Sequence, residues 1–187
     1  MNIITNQFTF KSTQVKNVIL IDKSKYQDDR GTFIKSYNSD AFKQAGLNVE
    51  FQESYYSTSK KNVLRGMHYQ KNPHAHAKLV QVVEGEILDV VVCVDSNLPD
   101  NVVGEVYSTI LSKDNNQSLY IPKGFAHGFL VLSDFAVVVN HMTSGFSAEH
   151  DAGIKYDSFG FNWPSRNLIL SEKDRAQIPL TKLVQKD

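Results

Sequence analysis

Short apolar runs separated by turn residues make up most of this chain. Valine, isoleucine, tyrosine and phenylalanine are concentrated in these runs, which is typical of β-strands. Turn signals break them up at Asp29-Arg30-Gly31, Glu84-Gly85, Leu98-Pro99-Asp100 and Asp114-Asn115-Asn116. The pattern predicts strands over residues 17–21, 32–37, 49–57, 78–83, 86–94, 103–111, 118–121, 128–132 and 135–141. It predicts one helix, over residues 39–46, with Asn38 or Ser39 as its N-cap and Gly46 as its stop.

Many short strands with few helices predict an all-β class, either a β-sandwich or a jelly-roll barrel. The chain has 187 residues, of which 41% are hydrophobic, and this is ample for one buried core. It contains no internal repeat and no linker, so we expect a single domain over residues 1–187. The tail from Asp157 onward is less regular, and we expect it to pack across the barrel.

The charge and composition argue against several classes of partner. The formal net charge is zero and there is no long basic or acidic block, so neither nucleic acid nor an anionic membrane surface is favoured. Residues 1–11 lack the apolar core of a signal peptide, and no apolar run approaches membrane-spanning length. The lone Cys93 lies in a valine-rich run, which indicates a structural thiol and excludes a disulfide scaffold. We therefore expect a cytoplasmic protein.

Two histidines carry most of the chemical information. His68 lies in the segment 63–69 and His127 in the segment 121–129, and each follows a glycine and has apolar or aromatic neighbours. An imidazole in a mostly apolar pocket can act as a proton-transfer base, although a histidine on a strand is often only structural. Lys78 opens a nearby apolar run and supplies a cation. The set predicts acid/base chemistry on a small anionic or carbonyl substrate.

Arg65 precedes His68 by three residues. In a regular strand two residues at this spacing point to opposite faces. The glycine between them favours a β-bulge, which would bring both side chains to one face. Arg65 could then hold a phosphate, because its planar fork suits bidentate contacts with oxygen; a surface salt bridge is the alternative.

The segment Pro122-Lys123-Gly124-Phe125-Ala126-His127 resembles the second signature of the cupin superfamily. In metal-binding cupins that histidine is a ligand, together with a His-X-His pair and a glutamate. His74-Ala75-His76 offers such a pair, but Val80 and Gln81 stand where the glutamate is expected. We therefore predict no metal and no cofactor, and keep a metal site as a minor alternative.

Six ordered motifs carry a more specific resemblance. They are Asp29-Arg30-Gly31-Thr32-Phe33, the segment 57–70, Lys78-Leu79-Val80, Gly85-Glu86-Ile87-Leu88-Asp89-Val90, the segment 121–129 and Leu170-Ser171-Glu172-Lys173-Asp174. From about residue 15 to residue 180 the chain closely resembles the dTDP-4-dehydrorhamnose 3,5-epimerase family of metal-free cupins. The resemblance implies a cupin-type double-stranded β-helix (jelly roll) with short flanking helices.

The resemblance also implies a substrate and a reaction. The substrate is a 4-keto-6-deoxyhexose carried on a nucleoside diphosphate, with dTDP the first choice and CDP, GDP and UDP as others. A proton next to the C4 ketone is removed, and the carbon is reprotonated from the opposite face. The residues matching the family's catalytic set are His68 as the base, Asp174 as its partner and Lys78 near the ketone oxygen.

Further roles follow from the same resemblance. Arg65 and Arg30 are expected to contact the nucleotide or the diphosphate, and Arg30 is expected to come from the partner subunit of a homodimer formed by strand exchange. Asp89 and His127 are expected to support the pocket. The matching motifs and the neighbouring segments give this set of substrate-binding candidates: Arg30, Phe33, Glu53, Tyr55, Arg65, His127, Phe146 and Lys173.

The chain departs from the family pattern at the acid. The family supplies a tyrosine that donates a proton from the face opposite the base, and the matching position here is Asn140. An amide is not a useful general acid near neutral pH. A second family tyrosine has become Phe146, which can still stack on a ligand. Water, His141, Tyr55 or Tyr56 would then deliver the proton.

Three hypotheses follow from the sequence. The first, which we favour, is an epimerase that inverts C3, C5 or both, in deoxysugar biosynthesis for a surface polysaccharide or a glycosylated metabolite. The second is a sugar-nucleotide 3,4-ketoisomerase, which needs no acid on the opposite face and is therefore compatible with Asn140. The third is a metal-binding or non-catalytic cupin.

Overall fold

A computed structural model describes residues 2–5, 7–47, 49–95 and 102–184. The predicted turn at Leu98-Pro99-Asp100 lies outside these residues. The strands are β1 (Asn2–Thr5), β2 (Phe8–Ser12), β3 (Ile19–Lys23), β4 (Lys25–Asp28), β5 (Gly31–Ile34), β6 (Glu53–Lys60), β7 (Leu64–Gln70), β8 (Lys78–Glu84), β9 (Glu86–Cys93), β10 (Val106–Ser112), β11 (Gln117–Ile121), β12 (Phe125–Val131), β13 (Phe135–Met142) and β14 (Asp151–Gly153). The helices are α1 (Ser39–Gln44), α2 (Glu172–Arg175) and α3 (Leu180–Val184). None of these helices is long and apolar enough to cross a membrane.

Two antiparallel sheets form the body of the fold. One has the strand order β1-β2-β3-β11-β8-β13-β6, and the other has the order β10-β9-β12-β7-β14. Strands that are distant in sequence lie side by side in both sheets, as in a jelly roll. The predicted all-β cupin-type fold is confirmed.

Alternation along the strands places apolar side chains between the two sheets and on their outer faces. Val80 and Val138 from one sheet meet Val91 and Phe129 from the other in a buried cluster. The outer face of the longer sheet is covered by α1, where Phe42 packs edge-on against Phe10 at a centroid distance of 5.1 Å.

The C-terminal tail covers the outer face of the shorter sheet. Leu180 of α3 and Ile154 after β14 join Val90, Val92 and Met67 in one buried cluster. The tail also returns to β7, because the backbone N–H of Leu64 donates to the carbonyl of Ile169 over 2.9 Å. This contact holds the last motif of the sequence beside the strand that carries His68.

The observed strands differ from the predicted ones at several ends. The predicted strands over residues 32–37 and 49–57 are Gly31–Ile34 and Glu53–Lys60 in the structure. The predicted strand over residues 128–132 begins earlier, so that His127 lies within Phe125–Val131. The strands β1, β2, β4, β7 and β14 were not predicted. In β1 and β2 polar residues alternate with isolated apolar ones, yet Phe8 and Phe10 face the core and are 3% exposed.

Candidate active site

A cavity of about 480 Å³ opens between the two sheets. A second cavity of about 280 Å³ adjoins it, and the two share Tyr55, His68, Lys78 and Lys173. We call β6, β13 and β8 the seven-stranded wall of this site, and β7, β12 and β9 the five-stranded wall. The segment 169–174 closes one side of the larger cavity.

His68 and Asp174 form a short hydrogen-bonded pair on the five-stranded wall. The Nε2 atom of His68 lies 2.5 Å from Oδ1 of Asp174. The imidazole is 31% exposed toward the cavity, whereas the carboxylate side chain is 5% exposed. An ionised carboxylate accepts a hydrogen bond from the Nε2–H group, which leaves Nδ1 as the unprotonated nitrogen of the neutral imidazole.

The short helix α2 places Asp174 at this point. Ser171 caps the helix, since its Oγ accepts a hydrogen bond from the backbone N–H of Asp174 over 3.1 Å. Burial alone would raise the pKa of Asp174. The hydrogen bonds and charge of His68 and the contacts with Ser171 and the Gly66 backbone outweigh burial, so the pKa lies below its ordinary value. The group is therefore an anion at neutral pH.

A β-bulge brings Arg65 to the same side of β7 as His68. In the pairing of β12 with β7, His127 lies opposite His68 and Phe129 lies opposite Arg65, so the single residue Gly128 faces both Gly66 and Met67. A side chain on Gly66 would place its Cβ 2.4 Å from Cα of Gly128, so this crossing requires glycine. Both His68 and Arg65 line the cavity, as the predicted bulge requires.

Arg65 is held by the edge strand β6. Its Nε donates to Oγ of Ser59 over 2.8 Å, and its Nη2 donates to the carbonyl of Thr58 over 3.3 Å. The rest of the guanidinium borders the cavity. A cation fixed in this way is suited to bind a phosphate group that enters at the edge.

Lys78 reaches into the cavity from the seven-stranded wall. It is 8% exposed, and its Nζ donates to the backbone carbonyl of His68 over 3.3 Å. Burial lowers the pKa of Lys78 to about 8, while the charges of Asp89 and Asp151 act in the opposite direction. The ammonium group thus lies beside His68, where it can meet an oxygen atom of a molecule bound in the cavity.

His127 and Asp89 form a second pair, deeper in the five-stranded wall. Nε2 of His127 lies 2.8 Å from Oδ2 of Asp89, and the two side chains are 6% and 0% exposed. Oδ1 of Asp89 has no hydrogen-bond partner among the described residues. Asp89 therefore contributes a buried negative charge behind the cavity.

The predicted acid position, Asn140, faces the cavity from β13 and is 2% exposed. Its direct neighbours across the sheet are Val80 on β8 and Tyr55 on β6. Tyr55 also lines the cavity, as does Ser57 two residues along, whose buried Oγ has no partner among the described residues. On the seven-stranded wall, the amide of Asn140 and the phenol of Tyr55 thus lie next to each other and border the cavity.

The smaller cavity receives most of the remaining predicted residues. Phe146 is 61% exposed, and its backbone N–H donates to Oε2 of Glu53 over 2.6 Å, so Glu53 ties the loop that carries Phe146 to β6. Lys173 forms an ion pair with Asp151 of β14. His76 also lines this cavity. Sequence reasoning missed two pocket residues: Asp151, which stands in none of the six motifs, and Ser57, which opens the motif over residues 57–70 but was given no role.

Arg30 and Phe33 do not reach either cavity. They belong to a separate two-stranded sheet of β4 and β5, where every residue of β4 is exposed. Phe33 is 61% exposed and packs against Tyr26 at a centroid distance of 6.4 Å, while Arg30 pairs with Asp28 over 2.5 Å. Within one chain, the structure therefore keeps these two predicted binding residues apart from the rest.

The His74-Ala75-His76 segment does not assemble a ligand set. The ring of His74 packs at a tilt against the ring of His150, with a centroid distance of 4.7 Å, and Nδ1 of His76 lies 3.2 Å from Oγ of Ser144. Within the described ranges, no three histidine, cysteine, aspartate or glutamate side chains are grouped to hold a metal ion.

Comparison with known proteins agrees with this arrangement. The sequence profile of the dTDP-4-dehydrorhamnose 3,5-epimerase family matches residues 12–182. The chain belongs to that family. It is 40% identical over 177 residues to the dTDP-4-dehydrorhamnose 3,5-epimerase of Escherichia coli (strain K12), a match that covers 92% of this chain and 95% of the relative.

Two solved structures of family members are closely similar. The Bacillus anthracis enzyme with TDP and PPi bound has a TM-score of 0.88 at 35% identity, covering 92% of this chain and 99% of that one. The Legionella pneumophila enzyme in complex with dTDP-4-keto-L-rhamnose has a TM-score of 0.88 at 34% identity, covering 93% of each chain. The predicted family and the predicted isomerase class, an epimerase of 4-keto-6-deoxy sugars, are confirmed.

Proposed function

We propose that this protein inverts C3, C5 or both in a dTDP-linked 4-keto-6-deoxyhexose. The observation that carries the proposal is the placement of the His68–Asp174 pair beside the ammonium group of Lys78 in one cavity. Arg65 at the edge of the same cavity supplies a cation for the diphosphate. His68, Lys78 and Arg65, which we propose as the base, the electrophile and the phosphate ligand, thus line one pocket.

The chemistry starts with proton removal next to the ketone. Nδ1 of His68 takes the proton, and Asp174 stabilises the imidazolium that forms. A ketone α-proton is a far weaker acid than an imidazolium, so the base alone is insufficient. Lys78 stabilises the developing enolate oxygen, and a preorganised cation in a pocket with little water is worth more than the same charge in water.

The bound ligands of two relatives support dTDP as the carrier. The Bacillus anthracis structure holds TDP, and the Legionella pneumophila structure holds dTDP-4-keto-L-rhamnose. Glu53 and Tyr55, two of the predicted substrate-binding residues, line the smaller cavity, and the resemblance does not fix which base they would meet. The CDP, GDP and UDP counterparts therefore belong in the test.

The proposal includes a homodimer in the cytoplasm. Arg30 and Phe33 stand on an exposed hairpin, away from the cavities of their own chain. In a homodimer with exchanged strands this hairpin would reach the partner's pocket and add a second cation to the diphosphate site. The lone buried Cys93 is compatible with a reducing compartment.

Proton NMR in heavy water tests the proposed function. The purified protein is mixed with dTDP-4-keto-6-deoxyglucose, and then with the CDP, GDP and UDP counterparts. Deuterium at C3 and C5 with inverted configuration at both carbons identifies a 3,5-epimerase, and deuterium with inversion at only one of them identifies a mono-epimerase. A carbonyl displaced to a neighbouring carbon would instead identify the ketoisomerase. No exchange with any of the four nucleotides would refute the proposal, and His68→Asn is the control for background exchange.

A further inference from the structure

Inversion at carbon requires two groups on opposite faces of the substrate. One group removes the proton, and the other returns a proton from the far side of the planar enolate. His68 occupies the five-stranded wall, so the returning proton has to come from the seven-stranded wall across the cavity. That wall carries Asn140 where the family has its acid, and an amide cannot fill that role.

The register of the sheet places a phenol beside the amide. Asn140 of β13 and Tyr55 of β6 are direct cross-strand partners in an antiparallel pair. Partners of this kind have Cβ atoms about 4.5–5.5 Å apart and point to the same face. Both side chains line the larger cavity, and Tyr55 also lines the smaller one together with His68 and Lys78.

The alternation of side chains along each strand rules out Tyr56 and His141, the two other side chains that the sequence suggested as proton donors. Tyr56 follows Tyr55 on the strand, so it points to the outer face, and it is 72% exposed. His141 follows Asn140 and likewise points outward, where its Nε2 lies 2.9 Å from Nε2 of Gln81 and its ring packs near Phe51. Neither side chain borders the cavities.

The remaining polar groups near this wall are unsuited to the step. Lys78 is directed at the backbone carbonyl of His68, and Ser57 carries a hydroxyl that is a much weaker acid than a phenol. Glu53 already accepts a hydrogen bond from Phe146. Burial and the charge of Lys78 lower the pKa of His76 to about 4, so its imidazole is uncharged at neutral pH.

We propose that Tyr55 is the proton donor that replaces the absent family tyrosine, an assignment that rests on the proposed function. His68 takes the proton from the carbon next to the ketone, and the electrons of that C–H bond form the enolate, whose oxygen meets Lys78. The carbonyl then re-forms as the same carbon takes the hydroxyl proton of Tyr55 from the opposite face. The phenolate recovers a proton from solvent, and the imidazolium of His68 returns its proton to solvent, so no co-reactant is consumed.

The charges around Tyr55 fit this cycle. Burial, followed by Glu53, raises the pKa of Tyr55; Arg65 opposes the shift, and Asp151 adds to it. The phenol therefore stays protonated at neutral pH and is ready to donate. The positive charge of Arg65 acts to lower the pKa of Tyr55, so it favours the phenolate that exists for part of each turnover.

The decisive measurement compares inversion with solvent exchange in Tyr55→Phe. The reaction runs in heavy water with dTDP-4-keto-6-deoxyglucose, or with whichever of the four nucleotides the wild type accepts. We expect inversion to fall on the order of 100-fold while deuterium uptake into recovered, uninverted substrate stays within about threefold of the wild type. The base step survives in this variant, and His68 returns deuterium to the face from which it took the proton.

Other results would overturn the assignment. Inversion at the wild-type rate in Tyr55→Phe would exclude the phenol as donor. A parallel fall in inversion and exchange, with a raised KM, would make Tyr55 a binding residue only. A wild type that exchanges without inverting would leave the base step intact and remove the need for any donor. A wild type without exchange would refute the proposed function itself.

Two further variants sharpen the test. Tyr56→Phe removes a hydroxyl from the neighbouring position on the outer face, and we expect it to match the wild type in both measurements. Asn140→Tyr in the Tyr55→Phe background restores a phenol to the same cross-strand row, so inversion should recover by roughly tenfold or more. A double variant that exchanges normally but still fails to invert would argue against a phenol on this wall.

Discussion

Two histidine–aspartate pairs lie side by side on the five-stranded wall, and they differ in burial and in origin. His68 is paired with Asp174 at 2.5 Å and is 31% exposed to the cavity, whereas His127 is paired with Asp89 at 2.8 Å and is 6% exposed. The two imidazoles occupy directly opposed positions on β7 and β12.

The comparison teaches that a histidine–aspartate hydrogen bond does not by itself make a base. Asp174 comes from a separate helix at the rim, which leaves the second nitrogen of His68 free to meet a substrate. Asp89 comes from the adjacent strand, is fully buried and has one oxygen without a partner among the described residues. The first pair is suited to move protons, and the second pair is suited to hold the wall and its charge.

The largest expected effect separates the two imidazoles. His68→Asn should lower solvent exchange at carbon on the order of 10⁴-fold, because it removes the base. His127→Asn keeps the base and should lower exchange by less than about tenfold per folded molecule. Equal losses in the two variants, measured by the same NMR assay with folding checked by circular dichroism, would contradict the division of roles.

Lys78→Met is expected to have the next largest effect: activity should fall, and the free energy of unfolding should rise. Loss of the cation should lower kcat on the order of 10²–10³-fold. Stability at pH 7 should rise, because a lysine whose pKa falls from 10.5 to about 8 on folding opposes folding by roughly 3 kcal/mol in its charged form. Urea titration measures this change, and a lower midpoint for the variant would show that the ammonium group stabilises the fold.

The pH dependence of activity tests how Asp89, in the buried His127–Asp89 pair, affects the pKa of Lys78. Activity should fall as pH rises past about 8, since Lys78 then loses its proton. Asp89 raises the pKa of Lys78, so Asp89→Asn should move this alkaline limb to lower pH by about one unit. Asp151→Asn should move it by less, because Asp151 acts more weakly on the lysine. An unmoved limb in Asp89→Asn would mean that another group controls it.

The smallest expected effect concerns the support of Asp174. Ser171→Ala removes the cap of α2 and should cost about 1 kcal/mol of stability. The pKa of Asp174 should rise toward its ordinary value, because one of the hydrogen bonds that lower it is lost. Thermal melts measure the change in stability, and the fall of the rate at acid pH reports the pKa. An unchanged acid fall would show that His68 and the Gly66 backbone suffice to keep the carboxylate ionised.

The sequence predicted the sheet-rich fold because its central strands are long apolar runs, as in β9 and β13. It did not predict β1, β2 and β4, where many side chains are polar and the strands are paired with neighbours. It also did not predict β7, which Gly66 interrupts, or the three-residue β14. Its motifs predicted His68, Asp174 and Lys78 as site residues, and the structure brings these three side chains to one cavity. It could not choose among Tyr55, Tyr56 and His141, because that choice depends on the register of β6 against β13.

The bulge at Gly66 and Met67 changes which residues of β7 face the cavity. Before the bulge, the odd-numbered residues of β7 face the cavity, and after it the even-numbered residues do. Arg65 and His68 therefore face the same side although three positions separate them. The site therefore forms at the point where the register between β7 and β12 shifts by one residue. Deleting one residue there would restore a single register and turn either Arg65 or His68 away from the cavity, so that the proposed phosphate contact and the proposed base would no longer share one site.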